Sequence, residues 1–222
     1  MNYTQLSNAI QAYTENTEAD FVANIPVFVT QAEQRIYNSV QFPSIRKNVT
    51  GVVSTTSTYL SAPDDYLATY SLAVIDADGN YEYLLNKDVN FIRQAYPKAT
   101  DTGLPRYYAL FGPTVSGSTI TTELTFILGP KPDANYTVEL HYYYYPQSIT
   151  LTPFTSWLGD NFDTVLLYAS LVEAYTYMKG EPDMMTLYNQ KFMEALALAK
   201  RLGDGMERQD AYRSGQFRQK VT

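Results

Sequence analysis

Few side chains in this sequence are placed to do chemistry. It has a single histidine, His141, and no cysteine in 222 residues. His141 stands inside a tyrosine run with strand character, and no G-x-S-x-G elbow accompanies it. A strand-face histidine is therefore favoured over a nucleophile–base pair. Asp76, Asp78, Asn80 and Glu82 place oxygens at every second residue. Such a run can circle Ca²⁺, but it lacks the length and the terminal bidentate glutamate of an EF-hand. The competing reading is a hairpin turn in which Asp78-Gly79 supplies the backbone angles. The 23 acids offer carboxylates for glycoside hydrolysis, yet no spacing singles out a pair. There is no Walker loop and no dinucleotide fingerprint. Gly112 and Gly117 read as loop glycines. Asn2, Asn48 and Asn135 head glycosylation sequons, expected to go unused because the N-terminus lacks the pattern of a secretory leader. The residues imply no enzyme, no metal and no cofactor.

The elements that would position any site fall into three regions. The first is helical. Leu6, Ala9, Ile10 and Tyr13 mark a short helix, and Phe21, Ile25, Phe28, Val29, Ala32, Ile36 and Val40 a second at 3–4 spacing. Thr17 and Asp20 offer capping oxygens, while Pro26 predicts a start near Asn24 or a kink. The second region is β. Strands are predicted at Val49–Val53, Thr58–Leu60, Tyr70–Ile75, Tyr81–Leu85, Arg106–Phe111, Thr119–Thr122, Leu124–Leu128 and Tyr136–Tyr145, with a short helix over Asp88–Ala95. The third region is a helical hairpin. Asp160–Lys179 is apolar almost all round, with Asp163, Ser170, Glu173 and Tyr177 as a narrow polar stripe, so it must be buried on most sides. Gly180-Glu181-Pro182 ends it and starts another helix, whose apolar face is Met185, Tyr188, Phe192, Ala195, Leu196, Ala199 and Leu202. Past Gly203-Asp204-Gly205 the pattern fades, and Gln147–Thr155 is the candidate linker.

The predicted fold class is α+β: N- and C-terminal helices packed together beside an antiparallel β-sandwich or barrel-like sheet. Residues 1–45 and 156–203 are expected to form one helical domain, 46–150 a β-domain, and 204–222 an extended tail.

Net charge is −7, which argues against charge-driven nucleic-acid binding. Residues 1–203 carry 12 basic and 20 acidic side chains and residues 204–222 carry 4 and 3, so the tail opposes the sign of the body. No apolar run approaches a membrane span. Tyrosine is abundant, 21 residues. Its ring suits strands and semi-wet interfaces, which favours a surface that meets proteins or sugars. In Tyr142–Tyr145, alternate rings should face core and solvent. Tyr143 and Tyr145 either pack on a neighbour or sugar, or simply cover the sheet and seat the helices.

Several stretches resemble a known family. They are Tyr142-Tyr143-Tyr144-Tyr145-Pro146, Trp157-Leu158, Asn161-Phe162-Asp163, the run from Leu166 to Gly180, and Leu187-Tyr188-Asn189-Gln190-Lys191-Phe192. Fainter likeness lies at Ile25-Pro26, Ala32-Glu33-Gln34-Arg35-Ile36 and Pro105-Arg106-Tyr107-Tyr108. Together these resemble the bacteriophage head-to-tail connector or adaptor proteins, of the neck or gatekeeper type. The resemblance implies a structural virion protein, made in the host cytoplasm and placed in the neck. It implies a homo-oligomeric ring, a dodecamer, below the portal protein. The helical part would clamp the portal and the β-part face a tail or nozzle protein. Genomic DNA would pass through the lumen without sequence-specific binding, and no membrane is involved. The C-terminal segment of such proteins reaches the portal. By position and type, Arg208, Tyr212, Arg213, Phe217 and Arg218 are the candidate portal-binding residues.

A negative body suits a DNA conduit, because like charge does not grip. A ring of heterologous contacts needs two different faces per subunit. The alternative is a carbohydrate-binding β-module of a phage tail or surface protein, with tyrosines as stacking platforms. A glycosidase-like enzyme on two unidentified carboxylates comes third.

Overall fold

The computed structural model describes residues 1–40, 42–112, 114–116, 119–122, 124–151 and 155–213. The α-helices among them are α1 (Tyr3–Thr14), α2 (Ala19–Ser39), α3 (Val89–Ala95), α4 (Trp157–Asn161), α5 (Asp163–Met178) and α6 (Pro182–Arg213). The chain forms two compact units. One joins Met1–Ile45 with Tyr145–Thr222, and the other is Arg46–Tyr144.

The helical unit is built on α5, against which α1, α2 and α6 pack. Leu166, Ala169, Ser170, Leu171 and Ala174 have no exposed surface, as an all-round apolar helix requires. Ser170 is tolerated there because its hydroxyl donates to the Leu166 carbonyl at 2.8 Å. The expected single helix from Asp160 is broken at Phe162, which leaves helical geometry with φ −137 and ψ 45. Its ring is held 5.2 Å from Phe42 and 5.4 Å from Trp157, so tertiary packing overrides the local pattern.

At the end of α5, Lys179 rather than Gly180 takes the left-handed conformation, at φ 54. Gly180 is needed for proximity instead: a Cβ there would stand 2.5 Å from the Tyr175 ring. Pro182 opens α6 as expected.

α1 begins with a reciprocal cap. The Asn2 side chain accepts the Gln5 N–H at 2.9 Å, and the Gln5 side chain accepts the Asn2 N–H at 3.0 Å. α2 starts at Ala19 and carries Pro26 within it. Neither Thr17 nor Asp20 caps it. Asn16 accepts the Glu18 N–H at 2.9 Å and fixes the entry. The buried stripe of α2 is Phe21, Ile25, Phe28, Val29, Ala32 and Ile36.

α6 buries Tyr188, Phe192, Ala195, Leu196 and Ala199 but leaves Leu202 51% exposed, correcting its placement on the inner face. The helix also continues to Arg213, where the sequence reading ended it at 203 and expected an extended tail. Gly203 and Gly205 each cost about 1 kcal/mol relative to alanine. A helix already nucleated still gains a hydrogen bond for each residue added, and Met206, Glu207, Arg208 and Ala211 favour it.

The β unit is a sandwich, not a closed barrel. One sheet has the order β1 (Arg46–Val53), β10 (Tyr136–Tyr143), β3 (Ala68–Ile75), β4 (Tyr81–Tyr83), all antiparallel. The other has the order β2 (Tyr59–Ser61), β9 (Thr125–Gly129), β6 (Tyr107–Phe111), β5 (Leu85–Asn86), with β5 and β6 parallel. The predicted strand Tyr81–Leu85 is split because the chain changes sheets at Leu84. The Leu84 N–H reaches Leu72 of one sheet, and the Leu85 N–H reaches Arg106 beside the other. Leu72, Val74, Val138, Leu140 and Tyr142 from the first sheet meet Tyr108, Phe126 and Leu128 from the second in one core. α3 covers the second sheet's other face through Ile92, against Ala109 and Ile127. That double cover explains why β9 is buried along its whole length.

β7 (Thr114–Ser116) and β8 (Thr119–Thr122), between β6 and β9 in the chain, pair as a separate two-stranded ribbon. β7 was not expected from the sequence. Gly117, Thr152–Phe154 of the candidate linker and residues 214–222 lie outside the described residues.

Candidate assembly interface

His141 lies on the outer face of the first sheet. Its Nδ1 is 3.3 Å from Ser71 Oγ, and its Nε2 is 3.9 Å from Glu139 Oε1. The order serine, histidine, glutamate follows from strand register: His141 is paired with Ser71 across the ladder and stands two residues from Glu139. Both separations exceed the roughly 2.6–3.2 Å of a working nucleophile–base link. The group reads as a polar strand face.

Asp76 spends its carboxylate on its own turn. It accepts the backbone N–H groups of Asp78 at 2.9 Å and Asn80 at 2.8 Å, and the Asn80 amide at 3.0 Å. The last of these bonds and the Asn80 N–H hold its carboxyl below the usual range. Gly79 takes φ 83, which is the hairpin geometry.

The tyrosine run divides by role. Tyr142 is buried, and its hydroxyl donates to Asp65 at 2.7 Å. A bulge between His141 and Tyr142 brings Tyr70 edge-on to Tyr143 at 6.0 Å, and the Arg46 guanidinium lies over both rings. Tyr143 therefore covers the sheet. Tyr145 seats α2, its hydroxyl donating to Asn38 at 2.5 Å. The exposed rings of the outer face are Tyr70, Tyr81 and Tyr83.

The sequence reading gave no role of its own to Glu33, which is only 3% exposed on α2. Its carboxylate accepts the Ile149 N–H at 3.0 Å and ties α2 to the segment that leads into α4. Burial pushes its pKa up, against hydrogen bonds from Ser148 and Ile149 that lower it. The available signal was a charged residue between Ala32 and Ile36 in the apolar stripe. Tyr188 of α6 was read as core, and it is also electrostatically unusual. Burial, then a hydrogen bond with Tyr175, push its hydroxyl up to about 12, within a ring cluster that includes Tyr13 and Tyr168.

α6 packs on α5 along one face and is the longest helix among the described residues. It has 32 residues, about 48 Å, against 16 residues, about 24 Å, for the α5 helix it folds back on. Leu187, Leu198 and Leu202 fall within a narrow arc by helical spacing and are all exposed. Arg208, Tyr212 and Arg213 lie on the helical backbone of the distal α6. Phe217 and Arg218 lie outside the described residues.

Among the described residues no group of three His, Asp or Glu converges to hold a metal, and no helix is long and apolar enough to cross a membrane. What the structure offers is apolar and aromatic surface on a long helix and on an open sheet face. None of the curated proteins matches the chain. A family profile described as SU10 adaptor protein matches residues 1–219. With a match over nearly its whole length, the chain belongs to the SU10 adaptor protein family, structural adaptors that join head to tail in bacteriophage virions.

Proposed function

We propose that copies of this chain assemble as a ring in the phage neck, below the portal, and form a conduit for the genome between capsid and tail. Beyond family membership, the observation that carries this reading is α6. Its distal half outruns α5, its leucines at 198 and 202 are uncovered, and it leads into a segment of opposite charge to the body. An exposed apolar stripe on a helix suits a groove in another protein. In this reading Arg208, Tyr212, Arg213, Phe217 and Arg218 contact the portal, the β unit faces the tail or nozzle, and a dodecameric ring matches the portal's symmetry. The net charge of −7 lets DNA slide past without being held.

Cosedimentation with the portal protein of the same genome tests the reading. The account expects the chain to run with the portal at a fixed stoichiometry, and separate migration at micromolar concentrations would contradict it. The sugar-binding alternative has the exposed rings of Tyr70, Tyr81 and Tyr83 in its favour, but it gives the long helical hairpin no task.

A further inference from the structure

A pocket of about 360 Å³ opens in the β unit where α3 meets the starts and ends of strands in the second sheet. Arg93 of α3, Lys98 just beyond it and Lys131 just after β9 line it, together with Thr56, Ser57 and Tyr59. The backbone holds these cations in place. Gly129 lets α3 approach β9, since a Cβ there would stand 2.6 Å from Ile92. The Gly103 N–H donates to the Lys131 carbonyl at 2.8 Å, and the Lys131 N–H to the Asp101 carbonyl at 3.3 Å, pinning the 98–103 loop beside the strand. Arg93 Nη2 donates to the Tyr59 hydroxyl at 3.1 Å, which aims the guanidinium.

The charge balance of this pocket is unusual for the chain. Three cations converge in a protein of net charge −7. Asp101 is the one acid in the lining, and its carboxylate already accepts the Lys98 N–H at 3.1 Å. Among the described residues none of the three cations makes an ion pair. Like charges around a shared cavity repel, and an incoming anion relieves that. A duplex backbone needs an extended track of cations. A pocket of this size admits a few side chains, so carboxylates of a protein fit it better.

The chain itself carries such a group. Glu15 and Glu18 lie in the connection from α1 to α2, Asp20 in the first turn of α2, and Glu181 and Asp183 at the start of α6; all are exposed. The helical unit brings them to one corner, because Asn16 of that connection bonds Met178 at the end of α5, 3.5 Å apart. Among the described residues these five carboxylates also lack ion pairs. We propose that the pocket lined by Arg93, Lys98 and Lys131 receives this acidic corner from a second copy of the chain. Pocket and corner are different surfaces, so the contact is heterologous, the kind that closes rings. The inference rests on the ring reading above.

The test uses the full chain on its portal, with subunits per complex counted by mass photometry. Four samples are compared: wild type, Lys98→Glu/Lys131→Glu, Glu15→Lys/Glu18→Lys, and the two reversed proteins mixed one to one. Each reversed protein alone should need about tenfold more protein to fill the ring, the effect of about 1.4 kcal/mol, and the mixture should recover. Lys98→Gln/Lys131→Gln, which adds no repulsion, should show a smaller loss in the same direction, with circular dichroism confirming the fold. Reversed proteins that fill the ring like wild type would overturn the pocket assignment and leave the adaptor reading standing. Losses without recovery on mixing would overturn the pairing. Failure of wild type to assemble would remove the ring reading and this inference with it.

Discussion

Glu33 shows how one buried side chain couples stability to pH. Its folded pKa is raised by burial, so the native state holds the proton more tightly than the unfolded chain does. The stability it contributes is complete below the unfolded pKa and is lost as pH rises through the folded value. Glu33→Gln keeps an acceptor for the Ile149 N–H and removes the charge. The variant is expected to match or exceed wild-type thermal stability at pH 7 and to gain nothing at pH 4. Glu33→Ala leaves that N–H without a partner and is expected to cost about 1–3 kcal/mol. Melting curves at both pH values check these outcomes, and a Gln variant weakened only at pH 7 would reverse the sign.

Tyr188 acts at the other end of the scale, with a hydroxyl pushed up to about 12. Its contribution is intact below the ordinary tyrosine range near 10 and fades as pH rises through about 12. Alkaline ultraviolet titration should show a late tyrosine step that disappears in Tyr188→Phe. At this scale the sequence announced little. Glu33 was visible only as a break in an apolar stripe, and the pairing of Ser71 with His141 depends on a register that no local pattern encodes.

At the scale of elements, α5 was the most legible, because a helix apolar on nearly every side can only be buried. Leu171 has no exposed surface. Leu171→Ala should cost about 2–5 kcal/mol, and Leu171→Asp should fail to fold, as an unpaired carboxylate there costs several kcal/mol more. A soluble, cooperatively melting Asp variant would show that the helix is not the centre of its unit. The hairpin at Asp78-Gly79 was equally legible, since two residue types dictate its backbone. Element boundaries were not. Phe162 breaks a helix through contacts with Phe42 and Trp157, and α6 runs through two glycines that read as a stop. The packed part of α6 ends near Ala199. Deleting residues 205–222 should therefore leave the melting temperature within a few degrees of wild type while weakening binding to the portal at least tenfold. Portal affinity unchanged by the deletion would remove the terminal segment from the contact.

For the whole molecule, composition and charge pointed to an assembly part before any element was placed. A chain with one histidine, no cysteine and 21 tyrosines has little to react with and much to adhere with. The α+β class was legible from periodicity, because strands and helices cluster in separate stretches. The closure of the sheet was not, since sandwich and barrel share the same strand pattern and differ only in which edges pair. The basic pocket was equally hidden: Arg93, Lys98 and Lys131 are ordinary in sequence, and only the loop pairing near Lys131 gathers them.

The central claim is a ring on the portal, and electron microscopy of the chain mixed with the portal from the same genome, beside each alone, tests it most directly. The account predicts an added coaxial ring on one face of the portal, absent when either protein is imaged by itself. Bare portals beside free single copies of the chain, at concentrations well above micromolar, would contradict it.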